Sequence, residues 1–341
     1  MPGESSVGNE RALRPGDLVE VRPAAEILAT LDEDGRLEAV PFMPEMLQYA
    51  GRRFTVDRRV EKICDTITQT GSRRLEGTVY LEDLRCDGSG HDGCQAGCRI
   101  YWKEAWLRRV ANGSAPSVDD ELDGGPELDR LTRRGARTLR VLDGATEEVW
   151  RCQATEALVA TEALKTSNPA QYWRELRSGN VGPLHFLRAI VYGAFFEVAV
   201  RSGLKRRMPL IGNGETPDRP PLGLAPGDVV RVRSPDEIVA TLDSRGLNRG
   251  LSFDREMLPH CGRTYRVQAR VRRIVDDRTG RVIEISRDCI ILEGVTCSGE
   301  RTVGCWFCPR AIYSYWREAW LERVEDSAHA DRDEVTSREP T

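Results

Sequence analysis

One segment occurs twice in this chain, and that repeat restricts the possible folds more than any other feature. LRPGDLVEVRPAAEILATLDEDG, starting at Leu13, matches LAPGDVVRVRSPDEIVATLDSRG, starting at Leu224, at a constant offset of 211 residues without a gap. The same offset carries Phe42 onto Phe253, Glu45-Met46-Leu47 onto Glu256-Met257-Leu258, Gly51-Arg52 onto Gly262-Arg263, Val60 onto Val271 and Cys86 onto Cys297. The second copy then gains three residues, and Tyr101–Leu107 matches Tyr315–Leu321. A repeat of this length means one supersecondary design built twice.

Each copy opens with Pro-Gly-Asp and an alternating run, Leu18, Val19 and Val21 or Val229, Val230 and Val232, which predicts a half-buried strand after a turn. A short helix follows. In the second copy Ser234-Pro235-Asp236-Glu237 carries a capping box, with serine at the cap, proline in the first turn and glutamate three residues on. The first copy has Pro23 at the cap and a less defined start. A second alternating run, Phe54, Val56 and Val60 or Tyr265, Val267 and Val271, predicts another strand, and Asp277-Arg278-Thr279-Gly280 predicts a hairpin turn into Arg281–Ile285. Such a meander of short strands is similar to a small SH3-like barrel. The Glu-Met, Cys-Gly-Arg and Tyr-Trp-Arg-Glu-x-Trp-Leu segments also resemble those of uncharacterised bacterial proteins with a duplicated, cysteine-containing module, a resemblance that implies no activity.

The expected fold is mainly β with α: two small SH3-like, zinc-bearing barrels flanking a helical unit. In order these are a disordered start (1–12), the first repeat (13–110), a Gly/Pro/acid-rich linker (111–145), the helical unit (146–203), a second linker (204–223), the second repeat (224–324) and a disordered tail (325–341). The helical expectation rests on Trp150, Ala154, Ala157, Leu158 and Leu164, on the Asn168-Pro169 start signal and on the apolar run Phe186–Val200. That run is interrupted by Arg188 and Glu197, so no membrane span is expected.

The N-terminus shows no export signal, which points to a cytoplasmic protein with reduced cysteines. Nine of the ten cysteines, all but Cys152, lie inside the repeats. Clustered reduced cysteine points to metal. The second copy offers Cys289, Cys297, Cys305 and Cys308, the last two as the C-x2-C pair of a tight turn, and four sulfurs complete the tetrahedron that structural zinc prefers. The first copy offers Cys64, Cys86, Cys94 and Cys98, with His91 as a rival to Cys64. Cys64 falls on Val275 and Cys289 on Thr78, so each copy lacks the other's first cysteine yet keeps the count. Two structural zinc ions are expected, with iron as the alternative metal; Cys152 and Cys261 read as core.

No phosphate-binding glycine loop, nucleophile elbow or His-Glu-x-x-His is present. The leading expectation is a non-catalytic zinc scaffold for a protein partner. Trp102/Trp106 and Trp316/Trp320, spaced like residues on one helix face, with Phe186 and Phe195, are its candidate contacts if exposed. The alternatives are a zinc-dependent or accessory enzyme of a bacterial biosynthetic pathway, in which His91 would stand beside an open metal position, and a nucleic-acid binder reading phosphate through Arg266, Arg270 and Arg272. The formal charge of −4 argues against a general polyanion binder.

Overall fold

The computed structural model describes residues 11–110, 124–165, 168–203, 211–212, 220–301 and 305–324. The expected tail, His329, most of the chain start, residues 111–123 of the first linker and most of the second linker lie outside the described residues. Strand outweighs helix, 29% against 21%, so the protein is mainly β. Two compact units form. The first takes residues 1–193, 273–283 and 298–312; the second takes 194–272, 284–297 and 313–341. Their borders do not follow the repeat, because the turn of the predicted hairpin, Asp277–Gly280, and the last two cysteines of the second copy belong to the first unit.

The first unit is built on an antiparallel sheet in the order Trp102–Lys103, Thr78–Leu81, Arg53–Arg59, Leu18–Val21, Leu107–Arg109. The second unit holds its counterpart: Tyr313–Trp316, Ile290–Thr296, Thr264–Arg270, Val229–Val232, Leu321–Arg323. Even the irregularities repeat, since the register shifts between Val56 and Arg58 and again between Val267 and Ala269. Alternation works as the pattern predicts, with Val19, Val21 and Val56 buried in one sheet and Val230, Val232 and Val267 in the other. The Ser234 capping box forms: the Ser234 hydroxyl accepts from the Glu237 amide, and the Ser234 amide donates to Glu237 Oε2 at 3.0 Å. Pro23 gives no such cap.

The tryptophans do not lie on a helix. Trp102 and Trp316 are in strands, Trp106 and Trp320 end three-residue 3-10 turns, and all four are wholly buried. Phe42 sits edge-on to Trp106 with centroids 5.2 Å apart, and Phe253 repeats this with Trp320 at 5.2 Å. They are core residues, which removes them as partner contacts.

The middle of the chain departs from expectation. Gly125–Gly135 is a helix and Arg137–Leu142 a strand where composition predicts a linker, and Ala145–Trp150 is a strand where the apolar spacing predicts helix. The hairpin turns on Asp143-Gly144, both with positive φ, an Asp-Gly pair that is among the strongest short turn signals. In the helix, Leu128 and Thr132 make a narrow buried face that average composition conceals. A Cβ on Gly135 would stand 2.2 Å from the Asp34 carbonyl oxygen, so only glycine permits the approach.

Helices begin at Ala170–Arg177 and Pro183–Arg201, and among the described residues no helix is long and apolar enough to cross a membrane. In the first unit Phe186 stacks on Phe307 at 5.6 Å, and a Cβ on Gly193 would lie 2.0 Å from the Trp306 ring.

Candidate metal centre

Glu45 is carried by the 3-10 turn Pro44–Tyr49, the Glu-Met-Leu segment common to both repeats, and both it and Met46 beside it are buried. Cys86 opens a loop that returns at Cys98, whose carbonyl accepts the Cys86 amide at 2.8 Å. Within it Gly88 accepts from the His91 and Gly93 amides at 2.9 and 3.0 Å, a compact turn that aims His91 at Glu45. A Cβ on Gly90 would lie 2.3 Å from Glu45 Oε2, so the absent side chain makes room for the carboxylate.

One oxygen organises the cluster. Glu45 Oε1 is 2.8 Å from Cys86 Sγ and 3.1 Å from His91 Nδ1. His91 Nε2 is 3.1 Å from the carbonyl of Arg151, which accepts and cannot donate, so this nitrogen carries the hydrogen. Nδ1 faces a carboxylate oxygen at hydrogen-bond distance, an arrangement that needs a proton or a metal ion between the two atoms. Glu45 Oε2 is also buried without a hydrogen-bond partner. Among the described residues, Glu45, Cys86 and His91 are the group whose three donor atoms lie within 4.8 Å of one another, and this group can hold a metal ion. The Arg151 carbonyl supplies the outer hydrogen bond that metal-binding histidines characteristically make.

Cys86 and His91 also line a cavity of about 50 Å³ with Cys94, Cys98 and Cys152. Cys64 is absent from it, and Cys152, expected to be core, takes its place. The Cys94 sulfur accepts the Val275 amide at 3.3 Å. Burial, and then the charge of Glu45, push the Cys86 thiol up; burial raises Cys98 and takes Cys152 up to about 12. These thiols are therefore not activated nucleophiles. Burial opposes ionisation of Glu45, but the contacts with His91 and Cys86 and a backbone hydrogen bond together outweigh it and the carboxyl stays below its usual range.

The other expected ligands are distributed differently. Cys64 lies in the first unit against Cys308, its amide donating to Cys308 Sγ at 3.1 Å. Cys305 joins them from the same loop, its thiol 3.4 Å from the Gly71 carbonyl oxygen. Cys289 and Cys297 belong to the second unit, whereas Cys305 and Cys308 belong to the first. Cys289 is buried in its own unit, its electrostatic surroundings set by Arg317, Asp288 and Arg270.

The arginine stripe is largely occupied within its unit. Arg270 pairs with the buried Glu318 at 2.5 Å, and Arg266 donates to the Gly227 carbonyl at 2.7 Å. Arg272 accepts through its carbonyl from the Ile285 amide. Arg59 and Glu104 form the matching pair in the first copy, so the middle arginine of the stripe is a framework residue of the repeat. Phe195 remains exposed, on a helix whose Leu184, Leu187, Val191 and Val198 are exposed as well.

Sequence reasoning missed Glu45 as a donor. Its signal was present: a glutamate shared by the two copies at 45 and 256, next to a methionine in an apolar segment. No protein-family model matches the chain, and no curated protein or solved structure matches it either.

Proposed function

We propose that this is a non-catalytic zinc protein whose metal centre fixes the frame of the first unit, and that the frame serves to present an apolar helix to a protein partner. The observation that carries the metal reading is the approach of His91 Nδ1 to Glu45 Oε1 with the other ring nitrogen committed to a carbonyl. Nitrogen, carboxylate oxygen and thiolate sulfur together are a zinc donor set, and Cys98 and Cys152 line the same cavity as Cys86 and His91. A cavity of about 50 Å³ has room for a few waters, whereas small-molecule sites are several times larger, which disfavours the enzyme reading. The five-strand order, with the last strand returning to the free edge of the first across a 3-10 turn, supports reading each sheet as an SH3-like half barrel.

The scaffold half rests on the Pro183–Arg201 helix, where Leu184, Leu187 and Val191, all in the first unit, recur at helical spacing and each is at least 60% exposed. A stripe of that kind marks an interaction surface.

Elemental analysis of the full chain purified without added metal tests the centre. Bound zinc that is lost in both Glu45→Gln and His91→Ala supports it; unchanged metal in both variants removes it. A photo-crosslinking residue at Val191, used in cells, tests the scaffold role. The expected adduct is a single protein species that Leu187→Arg abolishes, and lipid adducts alone would defeat it.

A further inference from the structure

The first repeat gives one of its cysteines to the loop of the second. Cys64 ends the strand Ile63–Cys64, which pairs with Ser72–Arg74 so that Cys64 stands opposite Ser72. Cys305 lies beside that same pair, its sulfur 3.4 Å from the carbonyl of Gly71, and Cys308 takes the Cys64 amide on its sulfur at 3.1 Å. Amide-to-sulfur bonds of this kind favour sulfur in its anionic state. Cys305 and Cys308 are themselves fixed in one turn, with the Cys308 amide bonded to the Cys305 carbonyl at 3.0 Å and Phe307 between them at a φ of 64°. A Cβ on Gly299 would come within 2.9 Å of the Cys308 backbone, so the segment entering the turn must also be bare.

Two cations are buried around these sulfurs. Lys62 has no exposed surface; its ammonium nitrogen lies 3.4 Å from Gln171 Oε1, 4.3 Å from the Tyr172 ring centre and 6.0 Å from that of Phe307. Arg310, 7% exposed, places Nη1 2.9 Å from the Cys64 carbonyl and 4.0 Å from Cys64 Sγ. Glu175 is the carboxylate that acts on Lys62, whereas Arg310 Nη1 donates to the Cys64 carbonyl and the Thr66 hydroxyl beside the Cys64 sulfur, and a buried guanidinium there calls for an anion. Three thiolates on one divalent ion supply it, because that centre carries a net charge of −1 by simple count and can offset the guanidinium.

We propose that Cys64, Cys305 and Cys308 form a second, thiolate-rich zinc site, separate in its residues from the Glu45–Cys86–His91 centre. Binding converts three S–H groups to three zinc–sulfur bonds and releases their protons to solvent; no oxidant or reductant takes part. The sulfurs do not yet stand within 4.8 Å of one another as a group, so closure requires the Cys305 side chain to leave the Gly71 carbonyl and turn toward Cys64. The site is a staple: one ion ties a strand of the first copy to a loop that follows it by more than two hundred residues.

Metal content per full-length chain, measured by native mass spectrometry, tests this. Two ions are expected in the unmodified protein, one in Cys308→Ser and one in Cys64→Ser, with two kept in Cys289→Ser and restored in Cys64→His, which returns a donor. The cobalt(II)-loaded protein should lose part of its sulfur-to-metal charge-transfer absorption in Cys308→Ser. Should that variant fail to fold, alkylation of the unmodified protein decides instead: Cys64 and Cys308 peptides should be protected until a chelator is added. If Cys308→Ser and Cys64→Ser keep every ion while Glu45→Gln loses one, the second site is refuted and the first stands. Loss in the cysteine variants with no change in Glu45→Gln keeps the second site and removes the first. A Cys64–Cys308 disulfide in protein purified under nitrogen also overturns the second site.

Discussion

The amide of Cys64 donates to the sulfur of Cys308 across 244 residues of chain. This contact assigns a loop of the second repeat to the compact unit of the first, and it redistributes the cysteines that sequence spacing alone would have grouped by copy.

Glycine at position 88 should be irreplaceable. Its φ is 74°, and a Cβ there would meet the Cys94 carbonyl oxygen at 2.0 Å, a backbone atom that cannot swing away. Gly88→Ala is expected to cost about 2 kcal/mol or more of stability through backbone strain and overpacking, and to weaken metal retention by shifting His91. Denaturant titration and metal analysis of the same preparation check both effects, whereas Gly93→Ala, with open space around its Cβ, should show only the positive-φ penalty.

Arg270 and Arg59 should behave as structural residues. Glu318 is 3% exposed and holds the amides of Leu222, Gly223 and Leu224 as well as Arg270. Arg270→Ala leaves that carboxylate buried with less compensation and is expected to cost about 3 kcal/mol. Arg59→Ala, which strips Glu104 of its guanidinium, should cost less because Glu104 is more exposed. A drop in salt-sensitive DNA binding without a change in unfolding midpoint would restore the nucleic-acid reading.

Two threonines test the repeat at the level of single atoms. Trp106 Nε1 donates to Thr30 Oγ1 at 3.0 Å, and Trp320 Nε1 donates to Thr241 Oγ1 at 2.9 Å. Thr30→Val and Thr241→Val each orphan a buried indole N–H and should destabilise by about 1–3 kcal/mol. Similar losses in chemical denaturation are expected, with the unit reporting each loss identified by hydrogen exchange at the two sheets.

Stability should depend on Glu175. Burial, against the pull of the Asn180 hydrogen bond and the Lys62 charge, raises its carboxyl to about 7, and Glu175 Oε1 is a buried atom without a partner. The folded protein therefore keeps a proton that the unfolded chain releases near 4.5. The unfolded state binds fewer protons in that interval, so stability from this group is full below about 4.5 and is lost as pH rises through about 7. Unfolding midpoints measured from pH 5 to 8 should fall along this limb, and Glu175→Gln should flatten it; an unchanged slope in that variant would sink the assignment.

Much of the framework was legible because it depends on neighbours in sequence. The Pro-Gly-Asp strands, the Ser234 cap and the Gly280 hairpin are local, and the offset of 211 residues located the second sheet once the first was read. The segment around 125–150 was misread for a local reason, since composition outweighed the Asp143-Gly144 turn and the narrow face of Leu128 and Thr132. The cysteine partners were hidden for a different one. Nothing in spacing places Cys64 beside Cys308 or Cys152 beside Cys98, because those are tertiary contacts.

The first unit includes residues 298–312, and this bears on how the protein is made. Synthesis proceeds from the N-terminus, and domains tend to fold as they emerge. Here the ribosome must deliver nearly the whole message before the opening unit has its closing loop. Until then Cys64 and Lys62 stand at an unfinished surface, and the nascent chain carries an incomplete unit through most of translation, a window in which metal supply and chaperone protection bear directly on yield.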